Sequence, residues 1–190
     1  MKRILFVLLL LSLAILAIEV RSIIFGSQTN NDDNTAGELL ISNLVISGIN
    51  NSEITVRDSY VKIGRSEVPQ RLFNLIQGKC LIYRFSGAEC NVCIEHVIAS
   101  LRNTFPDYES NDRILLIGSN LNRRVLKGYY GRNILYLQGE RLGLPAEEYN
   151  MPCLFILDER GISKLAFIPE KSYPGMTLAY LADIRSRYFK

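Results

Sequence analysis

Residues 79–93, which read KCLIYRFSGAECNVC, decide the fold. The first seven form a short apolar run rich in strand-forming residues, and this predicts a buried strand. The run leads into a pair of cysteines, Cys90 and Cys93. The apolar residues that follow recur at helical spacing until Pro106, and they are Ile94, Val97, Ile98, Leu101 and Phe105. The sequence therefore predicts a strand, a cysteine pair and an amphipathic helix in direct succession.

Strands and helices continue to alternate after the cysteines. The pattern predicts strands at 113–118 and 133–137 with a helix at 120–130 between them. Residues 154–158 and 163–168 flank a turn-like segment and predict a β-hairpin. A last helix, capped by Thr177, has an apolar face of Leu178, Leu181, Ile184 and Tyr188. This order predicts an α/β fold of three layers, with a central mixed sheet, a C-terminal β-hairpin and helices on both faces.

The pattern before residue 79 is less regular. Residues 38–49 are apolar without a clean period, so a strand and a short helix both remain open. Residues 53–63 alternate on both sides of a turn-like segment and predict a hairpin. Pro69 is expected to open a helix that runs through Gln77 and stops at Gly78. One domain is expected over residues 38–190.

The N-terminus resembles an export signal. Lys2 and Arg3 precede an apolar run from residue 4 to residue 18. At about 1.5 Å per residue, fifteen residues cover only about 22 Å of a hydrocarbon core roughly 30 Å thick. A run extended to Phe25 spans the core, with Glu19 and Arg21 then near the outer interface. We predict an uncleaved signal anchor at 1–25 and a flexible linker at 26–37. The domain would then face the periplasm or another extracytoplasmic space. A cleaved signal that releases a secreted or periplasmic protein is the alternative.

The composition narrows the function classes. The formal net charge is only +3 and the basic residues are scattered, so nucleic acid is not an expected partner. Four cysteines are too few for a disulfide-rich scaffold. A covalent haem is excluded because Ile94, not histidine, follows Cys93. No cofactor is expected.

The position of the cysteine pair points to disulfide exchange. Cys90 lies at the start of the predicted helix, where backbone N–H groups and the helix dipole favour a thiolate. A thiolate is the species that attacks a disulfide. Cys93 lies one turn into the helix, towards the buried side. These positions predict that Cys90 attacks and that Cys93 resolves the mixed disulfide.

The order of elements and four landmarks resemble the thioredoxin superfamily, in particular the exported TlpA/ResA-like thiol–disulfide oxidoreductases. The landmarks are Gly78-Lys79 before the strand, Phe85, the two cysteines, and Met151-Pro152 before the strand at 154–158. The resemblance covers residues 54–189. It implies that Pro152 is a cis-proline beside the cysteines and that the Met151 backbone pairs with a substrate peptide by strand addition. The implied partners are exported proteins that contain cysteines and a membrane or periplasmic electron donor or acceptor.

The chain also departs from that family. It contains no tryptophan, so none precedes Cys90, and the residues between the cysteines are Asn91 and Val92. No clear counterpart of a buried acid near the cysteines is evident, whereas Arg84 stands on the strand that leads to them. These departures leave the redox potential and the direction of electron flow open.

Other interpretations remain. Cys90, Cys93 and His96 share a helical face, and with Cys153 they could bind zinc or copper(I), as in a copper chaperone. A peroxidase is disfavoured because Gly87-Ala88-Glu89 precedes Cys90, where peroxidatic sites of the superfamily have a threonine. The cysteines could also be inert, or the fold could serve as a docking module. Cys80 is expected to be a buried bystander, about 17 Å or more from Cys90 at about 3.3 Å per residue.

Overall fold

The computed structural model describes residues 37–88, 90–122, 130–139 and 141–190. The chain divides into two compact units, Met1–Asn43 and Leu44–Lys190. In the first unit only residues 37–43 are described, and they are helical. The signal anchor at 1–25 and the linker, apart from its last residue, lie outside the described residues. No helix within the described ranges is both long and apolar enough to span a bilayer.

The second unit contains three α-helices, two 3-10 helices and seven strands among its described residues. The α-helices are α1 (residues 44–50), α2 (Asn91–Thr104) and α3 (Pro174–Tyr188). The 3-10 helices are Leu72–Leu75 and Pro145–Tyr149. The strands are β1 (Tyr60–Ile63), β2 (Pro69–Arg71), β3 (Cys80–Ser86), β4 (Ile114–Ser119), β5 (Ile134–Leu137), β6 (Cys153–Leu157) and β7 (Ser163–Phe167).

The strands form one mixed sheet in the order β2-β1-β5-β4-β3-β6-β7. The central pairs β3–β4 and β4–β5 are parallel, whereas β6 and β7 form an antiparallel hairpin beside β3. β1 and β2 complete the other edge in antiparallel pairing. The predicted α/β class, with a mixed sheet and a C-terminal hairpin, is confirmed.

Two apolar cores cover the two faces of the sheet. Because successive side chains of a strand point to opposite faces, Leu81, Tyr83 and Phe85 of β3 face one core and Cys80 and Ile82 face the other. The first core includes apolar residues of α2 and α3. The second includes Leu44 of α1 and residues of both 3-10 helices. Helical segments therefore lie on both faces, as the sequence predicted. Each fully buried large side chain contributes about 1.5–3 kcal/mol to this arrangement.

Two of the predictions before residue 79 were wrong. Residues 53–63 do not form a hairpin: Thr55 makes an isolated bridge with Ile162, while Val61 in β1 pairs with β2 and β5. The expected helix at 69–77 is a strand of three residues followed by one 3-10 turn. Asp58 Oδ1 accepts a hydrogen bond from the Phe73 N–H at 3.0 Å. Partners distant in sequence thus override the local pattern.

The other open predictions are resolved in part. Residues 38–49 are helical rather than extended. The predicted helix at 120–130 cannot be compared with the structure because residues 123–129 lie outside the described ranges. The strand before the cysteines and the helix after them are confirmed at β3 and α2.

Candidate active site

Cys90 lies at the junction predicted for it. It is the N-cap of α2 and has an extended backbone, with φ −63° and ψ 122°. Its carbonyl accepts hydrogen bonds from the N–H groups of Cys93 at 2.9 Å and Ile94 at 3.2 Å. These bonds begin the helix, so Cys93 stands in its first turn. The Cys90 side chain is exposed and the Cys93 side chain is half-buried.

The loop before Cys90 depends on a glycine. The Gly87 N–H donates to the Ser119 carbonyl at 2.8 Å, which holds the end of β3 against the end of β4. A Cβ atom at Gly87 would lie 2.2 Å from the Asn120 carbonyl oxygen. The two loops therefore approach closely only because residue 87 has no side chain. This contact fixes the position from which the chain enters α2.

The pKa of the Cys90 thiol is lowered. The largest cause is the backbone N–H of Cys93, and the Cys93 thiol, the Val92 N–H and the Lys171 charge act in the same direction against a desolvation effect. The sulfur makes no capping hydrogen bond of ordinary geometry, so the amides act on it as nearby dipoles at the positive end of α2. The thiolate is favoured at this position.

The pKa of the Cys93 thiol is raised. Desolvation by burial is the largest cause, followed by the hydrogen bond to Cys90 and the charge of Cys90. Glu170 also raises this pKa, whereas Lys171 lowers it. The two cysteines therefore differ in the way disulfide exchange requires, because the exposed Cys90 thiol loses its proton more readily than the half-buried Cys93 thiol.

A groove of about 140 Å³ opens beside the two sulfurs. Its lining residues are Cys90, Cys93, His96, Val97, Pro152, Pro169, Glu170 and Lys171. α2 supplies one wall, and the segment before β6 and the segment after β7 supply the others. The structure thus brings together Cys90, Cys93, Pro152 and His96, all of which the sequence singled out.

The expectation of a cis-proline was wrong. No peptide bond among the described residues is cis, so the bond before Pro152 is trans, which is the form an X–Pro bond ordinarily prefers. Asn150 turns the chain towards Pro152 with a left-handed backbone, φ 52°, a conformation that asparagine tolerates. The Met151 N–H donates to the Ala146 carbonyl at 2.9 Å. The Met151 N–H is therefore already used within the chain, and its side chain packs in the second core.

Cys153 does not join the other two cysteines. It is fully buried, its sulfur lies 3.7 Å from the Leu154 carbonyl oxygen, and burial raises its pKa to about 12. No group of three Cys, His, Asp or Glu side chains within the described ranges is arranged to hold a metal ion. The zinc or copper(I) site of Cys90, Cys93, His96 and Cys153 is therefore not assembled, because β6 directs Cys153 into the second core.

Cys80 has the environment predicted for it. It begins β3, at the opposite end of the strand from the active-site loop, and it is fully buried. Its sulfur contacts the Gln77 carbonyl oxygen at 3.6 Å, and desolvation raises its pKa.

His96 contributes an unusual polar atom to the site. Its side chain is half-buried and lines the groove. The Nε2 atom is buried and has no hydrogen-bond partner among the described residues. A buried polar atom without a partner costs about 1–3 kcal/mol, so its place beside the cysteines calls for an explanation.

A buried ion pair lies beneath the active-site loop. Arg84 Nε donates to Glu147 Oε1 at 2.8 Å, and the two side chains are 7% and 2% exposed. Arg84 Nη2 also donates to the Ser119 hydroxyl at 2.9 Å, and Nη1 donates to the Phe85 carbonyl. Glu147 Oε2 accepts the N–H groups of Gly143 and Leu144 at 2.9 and 3.3 Å. This network joins the ends of β3 and β4 to the loop before β6.

Four residues of this region were not predicted from the sequence. Glu147 is a buried acid opposite Arg84, but it does not line the groove. Pro169, Glu170 and Lys171 line the groove from the loop between β7 and α3. No local pattern marks this loop, because its place depends on the pairing of β7 with β6. Only a correct sheet order could have brought it to the cysteines.

The similarities of this chain to known proteins are weak. No protein-family model and no curated protein matches the sequence. A PrxQ mutant from Xylella fastidiosa shares 10% identity at a TM-score of 0.49, over 72% of this chain and 96% of that one. The thioredoxin domain of a thiol–disulfide oxidoreductase from Bacteroides vulgatus shares 13% sequence identity at a TM-score of 0.49, over 73% of this chain and 98% of that one. A secreted thiol–disulfide isomerase from Corynebacterium glutamicum shares 12% sequence identity at a TM-score of 0.41, over 66% of this chain and 84% of that one. With TM-scores of 0.41 to 0.49, these similarities are too weak to assign a family or an activity to this chain.

Proposed function

We propose that this protein is an extracytoplasmic thiol–disulfide oxidoreductase that exchanges disulfides with exported proteins through Cys90 and Cys93. One observation carries the proposal: the two thiols, three residues apart at the start of α2, have pKa values displaced in opposite directions. The exposed thiol is the one favoured as a thiolate. The roles of attacking and resolving cysteine follow from this difference.

The reaction runs in two exchanges. The Cys90 thiolate attacks one sulfur of a substrate disulfide, the substrate bond breaks, and the second substrate sulfur leaves as a thiolate. Cys93 then loses its proton and attacks Cys90, which releases the remaining substrate sulfur. The substrate disulfide gains two electrons and the cysteine pair loses two, so an electron donor must reduce the pair again. In the oxidising direction the same steps run backwards.

The groove offers a place for the peptide around the reacting sulfur. Pro152 lines it beside both cysteines. The Met151 N–H is bonded to Ala146, so we assign substrate pairing to the Met151 carbonyl, which can accept an N–H from an extended peptide. The exposed Val92, between the two cysteines, offers an apolar contact to the same peptide.

The proposed location depends on the N-terminal segment. The charged start and the apolar run from residue 4 to residue 18 are typical of an export signal or signal anchor. In this proposal the anchor holds the domain on the extracytoplasmic side of a membrane, near an electron donor or acceptor. Fusion of residues 1–36 to a reporter that is active only outside the cytoplasm would test export. A reporter that stays inactive would contradict it.

Trapping of mixed disulfides tests the enzymatic proposal. A Cys93→Ser variant should accumulate exported proteins linked to Cys90, because the second exchange is blocked. A variant with both Cys90→Ser and Cys93→Ser is the matched control and should capture none. Failure of Cys93→Ser to capture any partner, in cells whose exported proteins contain disulfides, would contradict the proposal. A reduction potential near about −270 mV would indicate a reductant and one near about −120 mV an oxidant.

A further inference from the structure

We propose that His96 is the base that accepts the proton of the Cys93 thiol when the mixed disulfide is resolved. This inference rests on the proposed function, since it concerns the second exchange at the same site. His96 entered the sequence analysis only as a metal ligand. The structure separates it from Cys153 and leaves it beside the two reactive cysteines.

The position of His96 relative to Cys93 supports this role. His96 follows Cys93 by three residues on α2, and both side chains line the same groove. Side chains three residues apart on a helix are neighbours, with Cβ atoms about 5–6 Å apart. This spacing and the shared groove allow the imidazole to approach the Cys93 thiol by side-chain rotation or through one water molecule.

The hydrogen bonding of the His96 ring also supports this role. His96 Nε2 is buried yet has no hydrogen-bond partner within the described part of the chain. A histidine with a purely structural role ordinarily uses its buried ring nitrogens in hydrogen bonds. In a neutral imidazole one ring nitrogen carries a proton and the other can accept one. The proposed step uses the tautomer in which Nε2 is the acceptor, on a side chain that lines the same groove as the Cys93 thiol.

The second exchange also requires a base that can accept the proton of Cys93. Burial and the neighbouring Cys90 raise the Cys93 pKa, so this thiol keeps its proton at neutral pH. The other charged residues that line the groove are Glu170 and Lys171. Lysine is a cation and cannot accept the proton, and Glu147 is engaged by Arg84 and two backbone amides. His96 and Glu170 are therefore the candidate bases of the groove, and of these two His96 has a buried ring nitrogen with no hydrogen-bond partner among the described residues.

The proposed step transfers one proton and one electron pair. The Sγ–H bond of Cys93 breaks and its proton passes to His96 Nε2. The electron pair left on the Cys93 sulfur forms the bond to the Cys90 sulfur. The bond between Cys90 and the substrate sulfur breaks, and the substrate leaves as a thiolate with that electron pair. The imidazolium then gives its proton to the departing thiolate, so His96 returns to its neutral form.

The two exchanges can be timed separately with dithiobis(nitrobenzoate), a small disulfide whose released thiolate is coloured. The reduced protein should release one coloured thiolate when Cys90 attacks and a second when Cys93 resolves. Cys80 and Cys153 are buried with raised pKa values and should not react on this time scale. His96→Ala should leave the first phase unchanged and slow the second about 10²-fold, the lower end of what a positioned base contributes. Added imidazole should restore the second phase.

Three further variants make the result decisive. His96→Gln keeps a polar side chain but cannot accept the proton, so it should slow the second phase as His96→Ala does. Glu95→Gln removes an exposed ionisable group from α2 outside the groove and should change neither phase. Glu170→Gln should not slow the second phase, and a slowing there with His96→Ala unaffected would assign the base to Glu170.

Other results are equally clear. An unchanged second phase in both His96 variants overturns the inference. So does a slow second phase in His96→Ala that imidazole does not restore while His96→Gln behaves as the unmodified protein, because that result indicates a packing role. If the unmodified protein releases no second thiolate, the resolving role of Cys93 fails, and with it the proposed function.

Discussion

The four cysteines of this chain form two groups that differ in solvent exposure. Cys90 and Cys93 stand at the junction of a strand and a helix, where one thiol is exposed and the other half-buried. Cys80 and Cys153 lie on β3 and β6, on the same face of the sheet, and are fully buried. Backbone N–H groups and the charge of Lys171 lower the pKa of Cys90 in the first pair. The cysteines of the second pair are packed among apolar side chains. The surroundings, and not the residue type, therefore decide which thiols are available for exchange.

The largest expected effect separates the two pairs by activity. Cys90→Ser should abolish disulfide exchange, because no other described thiol is both exposed and favoured as a thiolate. A Cys80→Ala, Cys153→Ala double variant is the matched control and should retain exchange at close to the original rate. Reduction of a small disulfide by each reduced protein measures both. If the control variant also loses activity while it remains folded, Cys80 or Cys153 takes part in exchange and the comparison fails.

The second expected effect is on stability, and it belongs to the buried region. Glu147→Gln leaves the Arg84 guanidinium buried without its counter-ion, and such a loss costs about 3–5 kcal/mol. Unfolding in urea should show this decrease. Cys90→Ala is the control, because the exposed thiol makes no capping hydrogen bond and its loss should change the free energy of unfolding little.

A double variant, Arg84→Met with Glu147→Leu, sharpens this test. It removes both charges at once, and replacement of a buried ion pair by apolar residues of similar size is often neutral. Its stability should therefore exceed that of Glu147→Gln alone. A Glu147→Gln protein as stable as the original would show that the ion pair is not needed to hold β3 and β4 to the loop before β6.

The sequence could predict those parts of this comparison that depend on local pattern. The strand, the cysteines and the helix form one continuous stretch, so periodicity alone placed Cys90 at the start of α2. Cys80 was correctly predicted as buried from its position at the beginning of β3. The hairpin of β6 and β7 was predicted for the same reason, since both strands and their turn are adjacent in sequence.

The sequence could not predict contacts between distant segments. Residues 53–63 alternate as a hairpin would, but Thr55 pairs with Ile162, and Val61 pairs with Leu137 and Gln70. Lys171 reaches the groove only because β7 lies beside β6. Cys153 follows Pro152 directly, yet the alternation of β6 turns it into the second core and away from the groove. A shift of one residue in strand register would move the Cys153 side chain to the other face of the sheet, so a contact of this kind depends on the register.

The third prediction ranks the thiols by pH. The pKa of Cys90 is lowered, so its thiolate should form at a lower pH than that of an ordinary cysteine. The pKa of Cys93 is raised, so its thiolate should form only at higher pH. Cys153, with a pKa of about 12, should stay protonated throughout. Labelling with iodoacetamide, followed by peptide mass spectrometry, should therefore modify Cys90 first and Cys153 only after unfolding. Labelling of Cys93 before Cys90 would reverse the assigned roles.

The smallest expected effect tests the loop that the sequence did not predict. Lys171 lowers the pKa of both Cys90 and Cys93 through its charge, so Lys171→Gln should move the onset of Cys90 labelling to higher pH. Lys171→Arg keeps the charge and should preserve the original onset. Because the Cys90 sulfur is exposed, the difference should shrink in 1 M salt, where screening acts over about 3 Å. Glu170→Gln is the opposite test, since loss of that carboxylate should lower the pKa of Cys93. If Lys171→Gln and Lys171→Arg shift the onset equally, Lys171 acts through packing, and only α2 and its amides distinguish the reactive pair from the buried one.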